Sequence, residues 1–130
     1  MQSVVREKKI LLISAPIAIT AGVIHIAEEL GAVVISVRKE EYNRTFRSLL
    51  GMGGGRSEPP GYDGPGIPEP VLVMYSFTDG ELERLLASMR ERHISIPLKA
   101  MITRTNINWT PLRLYRELRR EHTAMSRGSE

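Results

Sequence analysis

The chain holds 130 residues, 42% of them hydrophobic and 25% charged, with a formal net charge of +3 and no cysteine. That length fits one domain with a core of useful size, and the balance excludes a disordered chain. The missing cysteines exclude disulfides, thiolate metal sites and a cysteine nucleophile. The basic bias, 18 Lys and Arg against 15 Asp and Glu, falls short of the clustered excess of a nucleic-acid binder.

Arg6, Lys8 and Lys9 precede a charge-free run from Ile10 to Ala27, which imitates a signal peptide or a membrane span. Pro16 divides the run, and Ser14, Thr20, Gly22 and His25 interrupt its apolarity. Strand, turn and helix account for it better. Ile10 to Ile13 is an apolar run of strand length. Ile19, Val23, Ile26 and Leu30 then recur at helical spacing, and Gly31 stands where a left-handed cap ends a helix. Val33 to Val37 is a second, β-branched strand. A short helix follows, with Tyr42, Phe46, Leu49 and Leu50 on one face.

Residues 51–70 hold most of the chain's glycines and prolines. Such a stretch loses much chain entropy on ordering and buries little, so it reads as a long, mobile loop. Val71 to Tyr75 is the third strand. Thr78 and Glu81 have the spacing of a capping box, opening a helix that carries Leu82, Leu85, Leu86 and Met89 inward. A fourth strand spans Leu98 to Ile102. Thr110 caps a last helix with Pro111 in its first turn, and Leu114, Tyr115 and Leu118 form its apolar stripe. Residues 123–130 read as a frayed, flexible tail.

Strands alternating with helices imply an α/β fold with parallel pairing. The expected architecture is a single domain over residues 1–130. It is a small three-layer, open, mostly parallel four-stranded sheet in the order 2-1-3-4. Pro97 and Lys99 suit the last strand to an edge, where a charge deters further pairing. No internal repeat is evident.

In such a sheet, ligands bind outside the carboxyl ends of the strands. Ser14, Ser76, Thr78, Thr103, Thr105 and Asn106 fall at those ends, where they also serve as caps for helices and turns. The only tryptophan, Trp109, lies in the polar loop after the fourth strand, either as part of a recognition loop or as a pin to the core. The Gly51 to Gly55 cluster lacks the following helix and the Lys-Ser/Thr pair of a phosphate loop, so it reads as a linker. The histidines, His25, His93 and His122, have no metal-ligand spacing. Glu28-Glu29 and Glu40-Glu41 read as solvated faces. Arg113, Arg116, Arg119 and Arg120 make the last helix basic, but Glu117 and Glu121 dilute it, and no aromatics interleave for base stacking.

The segment 71–122 has an apolar strand and then Phe77-Thr78 with Leu82. Ile96-Pro97-Leu98-Lys99-Ala100, Thr103, Thr105-Asn106 and Trp109 follow. In these motifs it resembles a small bacterial family defined as a domain of unknown function. Arg104 stands where that family often has proline. The resemblance implies a bacterial, cytoplasmic α/β protein and no particular reaction. Any shared function would rest on Lys99, Thr103, Thr105, Asn106 and Trp109.

The expected function is therefore a non-catalytic binding or regulatory module, with a small anion or a protein as partner at the carboxyl edge of the sheet. Its ligand residues would be Lys99, Thr103, Thr105, Asn106, Trp109 and Ser76. No metal, cofactor or membrane is expected, and a homodimer through an edge strand is open. The alternatives are an enzyme with the 51–70 loop as a lid, or weak nucleic-acid binding through the basic last helix.

Overall fold

A computed structural model describes residues 7–52 and 59–128. Four strands form one sheet: β1 (Lys8–Ile13), β2 (Ala32–Val37), β3 (Val71–Tyr75) and β4 (Leu98–Met101), in the order β2-β1-β3-β4. The helices are α1 (Ile17–Leu30), α2 (Phe46–Leu49), α3 (Asp79–Glu91) and α4 (Pro111–Gly128), with 3-10 turns at Lys39–Glu41 and Asn106–Asn108. The last helix thus continues through most of the stretch read as a tail, and residues 129–130 lie outside the described residues.

The sheet divides the core into two apolar clusters. On one face Ile10, Leu12, Leu72 and Met74 pack with Val23, Ile26 and Ala27 of α1 and Leu85 and Met89 of α3. On the other, Leu11, Ile13, Val71 and Val73 pack with Phe46 of α2, Ile107, and Leu114 of α4. Helices on both faces explain why β1 and β3 are continuous apolar runs with no alternation. The capping box forms as its spacing predicts: the Thr78 N–H donates to Glu81 Oε1 (2.8 Å) and the Glu81 N–H to Thr78 Oγ1 (3.1 Å). The Arg113 N–H donates to Thr110 Oγ1 (3.2 Å), so Thr110 opens α4.

One feature differs from the parallel expectation. β1 and β2 are parallel, as are β3 and β4, but the central β1 and β3 run antiparallel, with Ile13 opposite Val71 and Lys9 opposite Tyr75. The cause is the route from β2 to β3. Among the described residues it holds a 3-10 turn and α2 rather than a single crossover helix, and residues 59–70 enter β3 at the carboxyl end of β1.

This arrangement is an internal repeat. Strand, helix, strand, 3-10 turn and helix occur once through α2 and again from β3 to α4. Each first strand ends in a left-handed serine, Ser14 (φ 56°) and Ser76 (φ 66°). Each following helix ends in a left-handed residue, Gly31 (φ 72°) and His93 (φ 58°), at the same interval from its serine. Thr45 and Thr110 cap the second helix of each unit. Leu11 and Val73, in equivalent positions before their serines, face each other in the central pair. The two units are therefore related by an approximate two-fold axis through that pair. α1 and α3 lie side by side on one face, and a Cβ on Gly22 would come within 2.5 Å of Ile94 Cδ1 in the turn that follows α3.

The second half of the 51–70 segment is seated on the protein rather than loose. Ile67 is buried, Tyr62 lies 5.9 Å from Tyr42, and the Tyr62 N–H donates to the Glu40 carbonyl (2.9 Å). Asn43 Nδ2 donates to the Pro60 carbonyl (2.6 Å). Residues 53–58, which include most of the glycine cluster, lie outside the described residues. Among the described residues, no helix is long and apolar enough to cross a membrane.

Candidate functional site

The antiparallel central pair splits the strand ends into two groups. The carboxyl ends of β3 and β4 lie together, with Ser76, Thr103, Thr105 and Asn106 beyond them, while Ser14 lies at the opposite end of the sheet. There the Ser14 and Tyr42 hydroxyls share a hydrogen bond of 2.9 Å.

Local bonds already occupy Thr103 and Asn106, two of the four polar side chains at the β3–β4 end. The Thr103 N–H donates to Asn106 Oδ1 (2.7 Å), the Asn106 N–H donates to Thr103 Oγ1 (3.1 Å), and Asn106 Nδ2 donates to the Met101 carbonyl (2.9 Å). This is a reciprocal cap on the 3-10 turn, the same logic as a capping box. Trp109 is half-buried against the α4 face of the core, with the Arg113 guanidinium 4.4 Å above its ring. Its carbonyl accepts the Phe46 N–H (2.9 Å), so it pins the loop to α2. Thr105 is exposed and makes no capping bond. Lys99, opposite Leu72 in the register, bonds back to the Ile96 carbonyl (2.7 Å), so its tip does not reach the rim.

Beside this cap lies an open cleft of about 320 Å³, lined by Arg47, Met52, Tyr75, Ile102, Thr103, Arg104 and Ile107. Its floor is apolar, and among the described residues its charged lining is two arginines with no carboxylate. Arg47 is half-buried and held by Asn108, its Nε 3.1 Å from Oδ1. Arg104 is exposed, without a hydrogen bond or ion pair among the described residues. Lys9, opposite Tyr75 across the central pair, donates to the Leu50 carbonyl (2.8 Å) and adds a third cation nearby. Of the residues singled out in the sequence, only Thr103 lines this cleft. Arg47 comes from the first unit and Arg104 from the second, and nothing in their local sequence joins them.

A second open cleft, of about 360 Å³, lies between α4 and the seated loop, lined by Tyr62, Pro65, Gly66, Ile67, Leu112, Tyr115, Arg116 and Arg119. The Tyr115 hydroxyl donates to Glu69 Oε2 (2.7 Å), and Arg119 Nε lies 3.3 Å from the same oxygen. Arg120 pairs with Glu117 at 3.7 Å. With Arg113 over Trp109, three of the four arginines from Arg113 to Arg120 already have partners. His25 pairs with Glu29 on the surface of α1 (3.2 Å), as a helix-face residue would.

Desolvation raises the Tyr115 pKa above the usual 10.0; the hydrogen bond to Glu69 and its charge add to the rise, and Arg119 opposes it. The folded value exceeds the unfolded one. The stability that follows is therefore fully present below pH 10.0 and is lost as pH rises through the folded value. An ultraviolet absorbance titration of wild type and Tyr115→Phe should assign to Tyr115 an ionisation above pH 10.0, and Glu69→Gln should lower it. A Tyr115 ionisation that ignores Glu69→Gln would remove Glu69 as a cause.

The fold and cleft define an α/β protein in which two strand-helix-strand units share a mixed four-stranded sheet. Residues 70–125 match the model of a family described as a domain of unknown function (DUF3783). The matched residues take in β3, α3, β4 and most of α4, which is the second unit of the repeat. No curated protein and no solved structure matches the chain.

Proposed function

We propose that the chain is a non-catalytic binding module that takes a small anion in the Arg47–Arg104 cleft. One observation carries this reading: among the described residues, two arginines flank an apolar floor and no carboxylate lines the cleft. Guanidinium groups hold carboxylates and phosphates through paired, charge-assisted hydrogen bonds. An apolar floor adds contact for the body of an organic anion. The non-catalytic part of the reading draws on Thr103 and Asn106, whose polar groups are spent on their mutual cap. The motif resemblance and the absence of cysteine support a bacterial, cytoplasmic setting.

The lid alternative draws on Met52 of the 51–70 segment, which lines this cleft, whereas the seated residues 59–70 lead into Val71 at the other end of the sheet.

The test is a thermal-shift screen with inorganic phosphate, nucleotides and sugar phosphates, on wild type and Arg104→Ala. A ligand present at about one hundred times its Kd stabilises by about 2.7 kcal/mol, a shift of several degrees. The expected outcome is a hit in wild type that shrinks in Arg104→Ala while the ligand-free Tm stays the same. Hits of equal size in both proteins, or none in wild type, sink the cleft as an anion site.

A further inference from the structure

We infer that the β2 edge and the adjoining flank of α1 form a two-fold dimer interface with a second copy of this chain. This inference is independent of the cleft, which lies at other residues.

The internal repeat supplies its own control. The two sheet edges are β2 and β4. β4 has four residues, with Lys99 among them and Pro97 just before, and a charge or proline blunts an edge against pairing. β2 has six residues, Ala-Val-Val-Ile-Ser-Val, with no charge and no proline, and Val33 is 47% exposed. The paired helices differ in the same way. At equal intervals from Ser14 and Ser76, Ile17, Ala18 and Ala21 of α1 stand where α3 has Asp79, Gly80 and Glu83. Ile17 is 90% exposed and Ile24 is 40% exposed.

The geometry of α1 directs this apolar flank toward the β2 edge. Gly22 faces the carboxyl end of α3, because its neighbour is Ile94 in the turn that follows that helix. At about 3.6 residues per turn, Ile17, Ile24 and Glu28 fall on the opposite side of the helix from Gly22. α1 packs on β2 through Ala32 and Val34, so this flank lies on the β2 side of the helix; Val33, with the parity of Ile35 and Val37, stands at the same edge on the other face of the sheet.

A second copy fits this surface by charge. Two-fold pairing of β2 with β2 is antiparallel, and it sets the carboxyl end of each strand beside the amino end of the other. Lys39 follows the carboxyl end of β2, and Glu28 lies near its amino end, in the last turn of α1. Both are exposed, and neither side chain makes an ion pair or hydrogen bond among the described residues. In the dimer each Glu28 meets the Lys39 of the other copy. The joint repeats the one inside the chain, where antiparallel β1 and β3 bring α1 and α3 side by side on one face.

Sedimentation equilibrium on the full chain tests this. The expected mass is twice 14.6 kDa at about 100 µM, a concentration that saturates a micromolar dimer. Ile24→Glu and Val33→Lys should each return the mass to 14.6 kDa with an unchanged circular dichroism spectrum. Met52→Glu alters an exposed apolar residue elsewhere and should leave the dimer intact. A wild-type mass of 14.6 kDa, or a dimer that survives both Ile24→Glu and Val33→Lys, overturns the inference.

Discussion

Phe46→Ala is expected to lower the unfolding free energy by about 3–5 kcal/mol, a large share of the roughly 5–15 kcal/mol that holds a domain folded. Phe46 has no exposed surface and sits among Tyr42, Leu50, Ile107 and Leu114 on the α4 side of the sheet. α2 is only four residues long, and a helix that short has no stability of its own. Beside the Thr45 cap and the Arg47–Asn108 bond, it is held by this ring and by the bond from the Phe46 N–H to the Trp109 carbonyl. Truncation therefore loosens two elements at once: α2, and the loop that Trp109 closes. Urea denaturation measures the loss, and Trp109 fluorescence reports the loop. A change below about 1 kcal/mol, within the range of ordinary surface substitutions or small trims, would show that the ring does not hold the two units together there.

Phe46 also shows what kind of structure the sequence discloses. Its place on the inner face of a short helix follows from its spacing to Tyr42, Leu49 and Leu50, a local pattern. The bounds of β3, the cap at Thr78, the left-handed Gly31 and the strand order with β4 on an edge are legible in the same way. The antiparallel β1–β3 pair is not. Both strands are apolar on both faces, so their residue patterns are the same for either direction, and the direction is set by the path between them.

The repeat is hidden for a related reason. Its two left-handed strand ends are serines and one helix end is His93, whereas only glycine announces that conformation in a sequence. The helix after Ser14 begins behind Pro16 and the one after Ser76 behind Thr78, so two chemistries perform one task. The cleft is the least legible feature. It joins Arg47 to Arg104 across the whole intervening βαβ unit, and no local pattern encodes that meeting. What the sequence did mark, the Thr-x-Thr-Asn run, marks a turn beside the cleft.

Asn106→Ala is expected to cost about 2–3 kcal/mol with no ligand present. The side chain accepts from the Thr103 N–H and donates to the Met101 carbonyl, and it is half-buried. Each bond contributes about 1 kcal/mol, and leaving a shielded partner unpaired adds to the loss. Asn106→Asp separates the two bonds. It keeps the acceptor for Thr103 and loses the donor to Met101, so it should fall between wild type and Asn106→Ala in urea. If Asn106→Ala matched wild type within about 0.5 kcal/mol, the cap would be incidental and the side chain free to serve a ligand. This distinction decides how a binding experiment is interpreted. An anion lost on Asn106→Ala would follow from a collapsed turn as readily as from a lost contact, because Thr103 and Arg104 both stand on that turn. Arg104 has no partner among the described residues, so Arg104→Ala changes the charge of the cleft and leaves the turn in place. A ligand that notices Arg104→Ala is therefore bound in the cleft, whereas one that notices only Asn106→Ala reports the fold.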